Sequence, residues 1–170
     1  MAWRDLLSYW RSHHLDGRPP SRADIDPPIQ IPRLLPNLML IDIEAAGFRL
    51  RLVGSELTRR AGYDSTGKIL DPDHMPERGS YAFIEFLTRV TGNRTPILYS
   101  ENQSAKSSVG AIGILLPLVG RAGSTEMVLG GVFYHPGTGR DVTFEREPGV
   151  VTELVLADEL ARENLVRYGR

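Results

Sequence analysis

The sequence predicts an α+β domain built on a five-stranded antiparallel sheet, with helices on one face and a further helix near each terminus. Strand patterns fall into two groups, one before residue 55 and one after residue 95, and the segment between them has helical spacing. Short polar turns within each group favour hairpins, and therefore antiparallel pairing. A chain of 170 residues with 41% hydrophobic residues can form one core without disulfides.

The first 17 residues are predicted to form an amphipathic helix. Apolar residues recur at helical spacing between residues 2 and 14, and the stripe contains Trp3, Leu6, Leu7 and Trp10. Residues 18–36 follow with six prolines, a density that excludes a central strand or helix interior and predicts an extended connector. The apolar stripe must therefore be buried either on its own domain or on a second subunit.

The central segment, residues 37–137, begins with a hairpin. Its second strand, Phe48-Arg49-Leu50-Arg51-Leu52, alternates apolar and basic residues, which predicts one buried face and one wet face. The two arginines could bind an anionic ligand if their face were enclosed, although a position on the wet face or beneath the N-terminal helix is the simpler interpretation.

Helical and strand patterns alternate through the rest of the chain. Two helices are predicted, a short one from Ser55 to Arg60 that ends at Gly62 and a longer one from Ser80 to Thr91. Three strands follow, at Ile97 to Glu101, Ala111 to Val119 and Glu126 to Tyr134. The last segment, residues 138–170, is predicted to contain a helix at about residues 154–168.

Composition excludes several classes of function. The absence of cysteine removes thiol nucleophiles, cysteine-ligated metals and cysteinyl photoadducts. A formal charge of -1 with no basic run argues against nucleic acid as a partner. The most apolar run, Val109 through Gly120, is too short to span a bilayer, and the charged amino terminus does not read as a secretory signal. We therefore expect a cytoplasmic protein without a membrane segment.

The order of elements resembles the PAS domain, and short motifs carry the resemblance further. Gly62-Tyr63-Asp64-Ser65-Thr66-Gly67-Lys68 is similar to the PAS stretch that joins the first two short helices. Residues 20–27, residues 34–37 and residues 48–55 are similar to a family of single-domain bacterial PAS proteins of largely undefined function. The resemblance extends from about Trp10 to Tyr134, so residues 37–137 are expected to be the PAS-like domain.

The resemblance implies a small cavity between the sheet and the helices over it. Flavin-adduct and thioester chromophores are excluded because both PAS types require a cysteine, and haem is not favoured because residues 80–91 contain no histidine. The cofactor therefore stays unknown, and no metal is expected. Candidate pocket residues are Phe48, Leu50, Leu52, Tyr63, Tyr81, Phe83, Phe86, Leu87, Tyr99, Ile112, Ile114 and Leu129.

These features predict a non-catalytic sensory or regulatory module that signals through contacts with a protein partner. The resemblance also implies a homodimer, with the helical stripe of Trp3, Leu6, Leu7 and Trp10 as the partner contact. One alternative is an adaptor or dimerisation module whose interior is filled solid and holds no ligand. A second is a small enzyme that uses Asp73 and His74, which with Asp71 could also bind a metal, although capping of the following helix is the simpler explanation of these residues.

Overall fold

The computed structural model of the chain describes residues 2–70, 79–102, 109–120, 123–136 and 151–155. The α-helices are α1 (Ala2–Ser12), α2 (Pro27–Gln30), α3 (Ser55–Ala61) and α4 (Gly79–Asn93), and two 3₁₀ helices span Arg22–Asp24 and Pro32–Asn37. The strands are β1 (Leu38–Glu44), β2 (Gly47–Val53), β3 (Ile69–Leu70), β4 (Ile97–Asn102), β5 (Val109–Val119), β6 (Thr125–Pro136) and β7 (Val151–Val155). Helices α3 and α4 and strands β1, β2, β4, β5 and β6 confirm the predicted elements.

The strands form one sheet in the order β3-β2-β1-β6-β5-β4-β7. Every neighbouring pair is antiparallel except β4 and β7, which are parallel. The predicted α+β class and antiparallel sheet are confirmed, but the sheet has seven strands in the described residues rather than five. Strand β3 has two residues, too few for an alternation to show, and β7 overlaps the predicted start of the C-terminal helix at residue 154. The rest of that predicted helix lies outside the described residues.

A β-bulge changes which way the second strand faces. Leu40 is opposite Leu52 and Ile41 is opposite Leu50, so Arg51 is an extra residue on β2. Phe48 and Leu50 are buried, whereas Leu52 lies beyond the bulge and is 39% exposed. The predicted common face for these three residues is therefore wrong at Leu52, because the inserted residue inverts the alternation there.

Both faces of the sheet are covered. One face packs against α4 and carries Met39, Ile41, Leu115 and Val132, and we call it the α4 face. The opposite face packs against α1 and carries Leu98, Ile114, Leu116, Leu129 and Phe133, and we call it the α1 face. Residues 111–118 of β5 are all buried, since alternate residues enter the two cores.

Helix α1 is buried on its own chain. The side chains of Trp3, Leu6, Leu7 and Trp10 are 0–3% exposed within the α1-face core. The indole Nε1 of Trp10 donates a hydrogen bond of 2.9 Å to the carbonyl oxygen of Pro117 on β5. These contacts use the whole apolar stripe, so the expectation that it contacts a second subunit is corrected.

The connector is not extended as predicted. Pro27, Pro28 and Pro32 stand at the first turns of short helices, where a missing backbone N–H costs little, and Pro36 lies inside the second 3₁₀ helix. Ile25 and Leu34 enter the α1-face core beside α1. The connector is also tied to α1 by the Tyr9 hydroxyl, which donates to Oε1 of Gln30 at 2.5 Å and accepts from the backbone N–H of Asp26 at 2.9 Å. Packing therefore joins residues 2–36 to the sheet.

The surroundings of His14 predict that the anchoring of α1 is sensitive to acid. Its ring packs edge-on against Trp10, with 4.2 Å between ring centroids, and its buried Nε2 has no hydrogen-bond partner. Burial, with a smaller contribution from the charge of Arg11, lowers the pKa of His14 below its usual value. The unfolded chain therefore binds this proton more readily, and stability is lost as pH falls through the unfolded pKa of about 6.5.

We expect the urea midpoint to fall more between about pH 7.5 and 5.5 for the native sequence than for His14→Phe, which keeps a ring against Trp10 but cannot be protonated. Denaturation curves at the two pH values test this. Equal losses for both proteins would show that His14 does not couple folding to pH.

Candidate site between helix α4 and the sheet

Tyr99 occupies the space between α4 and the sheet. Its side chain is 5% exposed, and its ring centroid lies 5.1 Å from that of Phe86, with 35° between the ring planes. Phe83 borders the same ring at a centroid distance of 6.5 Å. On the sheet side, the ring lies directly over Gly113, which faces Tyr99 in the β4–β5 register. A Cβ atom on Gly113 would overlap the ring, so the absence of a side chain there is what allows Tyr99 to lie flat.

Half of the predicted pocket residues meet on this side of the sheet. They come from β2, α4 and β4, and all belong to or pack against the α4-face core: Phe48, Leu50, Phe83, Phe86, Leu87 and Tyr99. Alternation along β2 and helical spacing along α4 were sufficient to place them together.

Other predicted pocket residues lie elsewhere. Ile112 and Ile114 are in the α1-face core, because Gly113 and Leu115 are the residues of β5 that point towards α4. Leu129 is in the same core, because its neighbour Val128 is the residue of β6 that enters the α4-face core. Since β5 is apolar on both faces, its sequence pattern could not assign the face of any one residue.

Two tyrosines and one leucine complete that list. Tyr63 is 50% exposed, and Nζ of Lys68 lies 4.3 Å from its ring centroid. Leu52 faces the α1 side because of the bulge. Tyr81 belongs to α4, but its side chain lies outside the described residues, so its pocket role stays a prediction.

Sequence reasoning missed most of the aliphatic lining of the α4 face. The missed residues come from six elements and are Met39, Ile41, Leu57, Ala82, Ile84, Ile97, Ala111, Leu115, Val128 and Val132. The strand residues among them alternate with α1-face residues of equal hydrophobicity. To identify these strand residues, one would need to know which face of one strand is buried and how the neighbouring strands pair with it.

Ion pairs at the end of α3 border this core. Glu56 accepts from Nη2 of Arg59 at 2.8 Å and from Nε of Arg60 at 2.7 Å, and these hydrogen bonds lower the pKa of Glu56 to about 2. The guanidinium carbon of Arg60 also lies 3.7 Å from the ring centroid of Tyr134 on β6. The carboxylate and the aromatic ring thus hold Arg60 across the gap between α3 and the sheet.

The arginines of β2 are paired with carboxylates. Arg49 donates from Nε and Nη2 to the two oxygens of Glu44, and its Nη1 donates to the carbonyl oxygen of Gly67 at 3.0 Å. This pairing lowers the pKa of the Glu44 carboxyl. Nε of Arg51 lies 2.8 Å from Oδ2 of Asp42, and the Arg51 side chain is 60% exposed. The Arg49 side chain is 31% exposed, so only Arg51 is mostly in contact with water, and both charges are balanced by carboxylates.

The predicted acid–base cluster of Asp71, Asp73 and His74 lies outside the described residues, so its role stays a prediction. Within the ranges that the structure describes, no three histidine, aspartate or glutamate residues come close enough to hold a metal ion. Among the same residues, no helix has both the length and the hydrophobicity needed to cross a membrane.

The fold and its helix-covered sheet define the class of protein. The chain belongs to the PAS domain family, because the family model described as a PAS domain matches residues 1–133. PAS domains are generic sensory and signalling modules and are generally non-catalytic. The match begins with α1, in agreement with the packing of that helix on the sheet.

Two solved structures are similar to the chain. The PAS domain of Bordetella pertussis BvgS is 19% identical, with a TM-score of 0.44, over 79% of this chain and 90% of that one. An RNA-binding light-oxygen-voltage receptor is 17% identical, with a TM-score of 0.42, over 74% of this chain and 38% of that one. No curated protein sequence matches the chain.

Proposed function

We propose that this PAS domain is a non-catalytic regulatory module that acts through contacts with other proteins and whose interior on the α4 face is filled by its own side chains. The position of Tyr99 is the observation that carries the proposal. Its ring is enclosed by Phe86 and Phe83 on one side and by the bare backbone of Gly113 on the other.

Packing energetics favour this filled interior over a resident ligand. A ligand in the same place would have to displace the Tyr99 ring, which would lose its contacts with two aromatic side chains. Aromatic pairs contribute about 0.5–1.5 kcal/mol each beyond the burial of their area. A ligand would have to recover that stabilisation before any net binding occurred.

Native mass spectrometry and an absorbance spectrum of the purified protein test the proposal. We expect to measure the mass of the polypeptide alone and to see no absorbance at wavelengths longer than those of the aromatic side chains. A small molecule retained in stoichiometric amount would overturn the filled interior and would support the ligand-binding alternative.

A variant gives this test a positive control. Tyr99→Ala removes the phenol ring and should leave a cavity of matching shape, and apolar cavities of that kind bind small aromatic molecules. Phenol should therefore raise the melting temperature of Tyr99→Ala but leave that of the native protein unchanged. Equal stabilisation of both proteins would mean that the native interior is already accessible.

A further inference from the structure

An unusually exposed isoleucine stands beside an apolar groove. Ile29 on α2 is 77% exposed, the largest exposure of any large apolar side chain in the described residues. The groove lies between the connector and the sheet, with a cavity of about 40 Å³, and its wall includes Pro28, Leu35, Leu40 and Leu52. Leu52 itself is 39% exposed, so apolar surface continues to the rim of the groove.

The position of Ile29 is fixed. Pro27 and Pro28 set the backbone of the first turn of α2, and the backbone N–H of Ile29 donates to the carbonyl of Asp26 at 3.1 Å. The next residue, Gln30, is held by the Tyr9 hydroxyl at 2.5 Å. Because the backbone of this turn is already ordered, binding a partner here costs little backbone entropy, and only the side chain of Ile29 has to be ordered.

The groove suits one branched aliphatic side chain. A single water molecule needs roughly 10–15 Å³ of cavity volume, so this cavity of about 40 Å³ has room for about three water-sized groups. That is too little for a nucleotide or a flavin, and it is comparable to the four-carbon side chain of isoleucine. The projecting residue and the cavity that fits it are adjacent, because Pro27 and Pro28 line the groove and immediately precede Ile29.

We infer that this surface binds a second copy of the same chain, with Ile29 of each protomer inserted into the groove of the other. In a two-fold symmetric interface the same patch of both protomers is in contact, so that patch must carry both the inserted side chain and the cavity that receives it. This patch carries both, as Ile29 and the groove beside it.

The charges around the patch are also self-complementary. Arg22 lies in the groove wall, and its one hydrogen bond in the described residues uses Nη1, which donates to the carbonyl of Ile25. Asp24 and Asp26 are exposed on the stretch that leads to Ile29, and Oδ2 of Asp24 also accepts hydrogen bonds from the backbone N–H and the hydroxyl of Ser21. A two-fold axis between projection and groove brings Arg22 of one protomer towards these acids of its partner. The formal charge of -1 per chain adds little repulsion between copies.

The proposed function is regulation through contacts with other proteins, and this inference identifies a second copy of the chain as one such partner. It therefore rests on the proposed function. The patch is small compared with stable interfaces, which bury about 1,200–2,000 Å² in total, so the dimer should be weak and concentration-dependent. The filled interior is tested by bound mass and absorbance, which do not depend on oligomeric state. Failure of one idea is therefore distinguishable from failure of the other.

Sedimentation velocity over about 10–500 µM protein, the range of weak transient complexes, is the first test. We expect the native protein to shift towards a dimer as concentration rises and Ile29→Asp to stay monomeric. Leu15→Asp is the matched control, since Leu15 is 65% exposed but does not line the groove, and it should dimerise like the native protein. A native monomer throughout, or dimerisation of Ile29→Asp, would overturn the inference.

The absence of cysteine allows a second test. Equimolar Ile29→Cys and Leu52→Cys, mixed and mildly oxidised, should form mixed disulfide dimers faster than Leu15→Cys with Leu52→Cys. Circular dichroism first checks that each variant is folded. Equal rates for the two mixtures would mean that Ile29 does not enter the groove of a partner.

Discussion

Gly113→Ala is expected to destabilise the native protein by about 1–3 kcal/mol, although the same change should cost nothing once Tyr99 has been shortened to alanine. In the native protein the new methyl group must displace the buried ring that lies over Gly113. In Tyr99→Ala the methyl group instead enters the space that the ring has left. Tyr99→Ala alone should cost about 3–5 kcal/mol, as expected for truncation of a buried aromatic side chain.

Urea denaturation of the four proteins in this double-mutant cycle gives the coupling, which should reach at least about 1 kcal/mol. Gly92→Ala in α4 is the glycine control, because a Cβ atom at Gly92 meets nothing within 4 Å. It should be neutral or should stabilise the protein by up to about 1 kcal/mol through helix propensity. Additive effects of Gly113→Ala and Tyr99→Ala would mean that the Tyr99 ring does not lie on Gly113.

Trp10→Ala is expected to lower the free energy of unfolding by about 3–5 kcal/mol. The indole is 3% exposed, fills the α1-face core and donates to the carbonyl of Pro117. Trp10→Phe should lose less, because a ring remains in the core while only the indole donor disappears. Chemical denaturation followed by circular dichroism measures both losses.

Ser8→Ala is the control for that experiment, since Ser8 lies on the exposed side of the same helix and its replacement should change stability by less than about 0.5 kcal/mol. Repeating the measurement at several protein concentrations distinguishes a helix α1 packed on its own sheet from one packed on a second subunit. A helix docked on its own sheet gives a loss independent of concentration, whereas a loss that grows on dilution would place it on a second subunit.

Local patterns were sufficient to predict the fold class and most elements. The i, i+3, i+4 spacing of α4, the Gly62 that ends α3, and the alternation of β2 before its bulge are each decided by residues close in sequence. Gly62 adopts a φ of 79°, the left-handed conformation that glycine tolerates without strain.

The features that local patterns could not predict depend on distant residues. The bulge at Arg51 is a matter of register between β1 and β2, and the face of each β5 residue is decided by α1 and α4 together. Strand β7 pairs with β4, more than fifty residues away, so its short apolar sequence was equally compatible with a helix. The role of Gly113 depends on its pairing with Tyr99 on the neighbouring strand, and no short sequence motif predicts that pairing.

The close approach of Leu6 to Gly131 has a practical consequence for any shortened version of the protein. A Cβ atom on Gly131 would stand 2.8 Å from Cδ2 of Leu6, so the backbone of β6 is bare where the first helix lies on it. Deleting the first 37 residues would expose this glycine and a continuous aliphatic surface to water. We therefore expect a fragment that begins at Leu38 to aggregate.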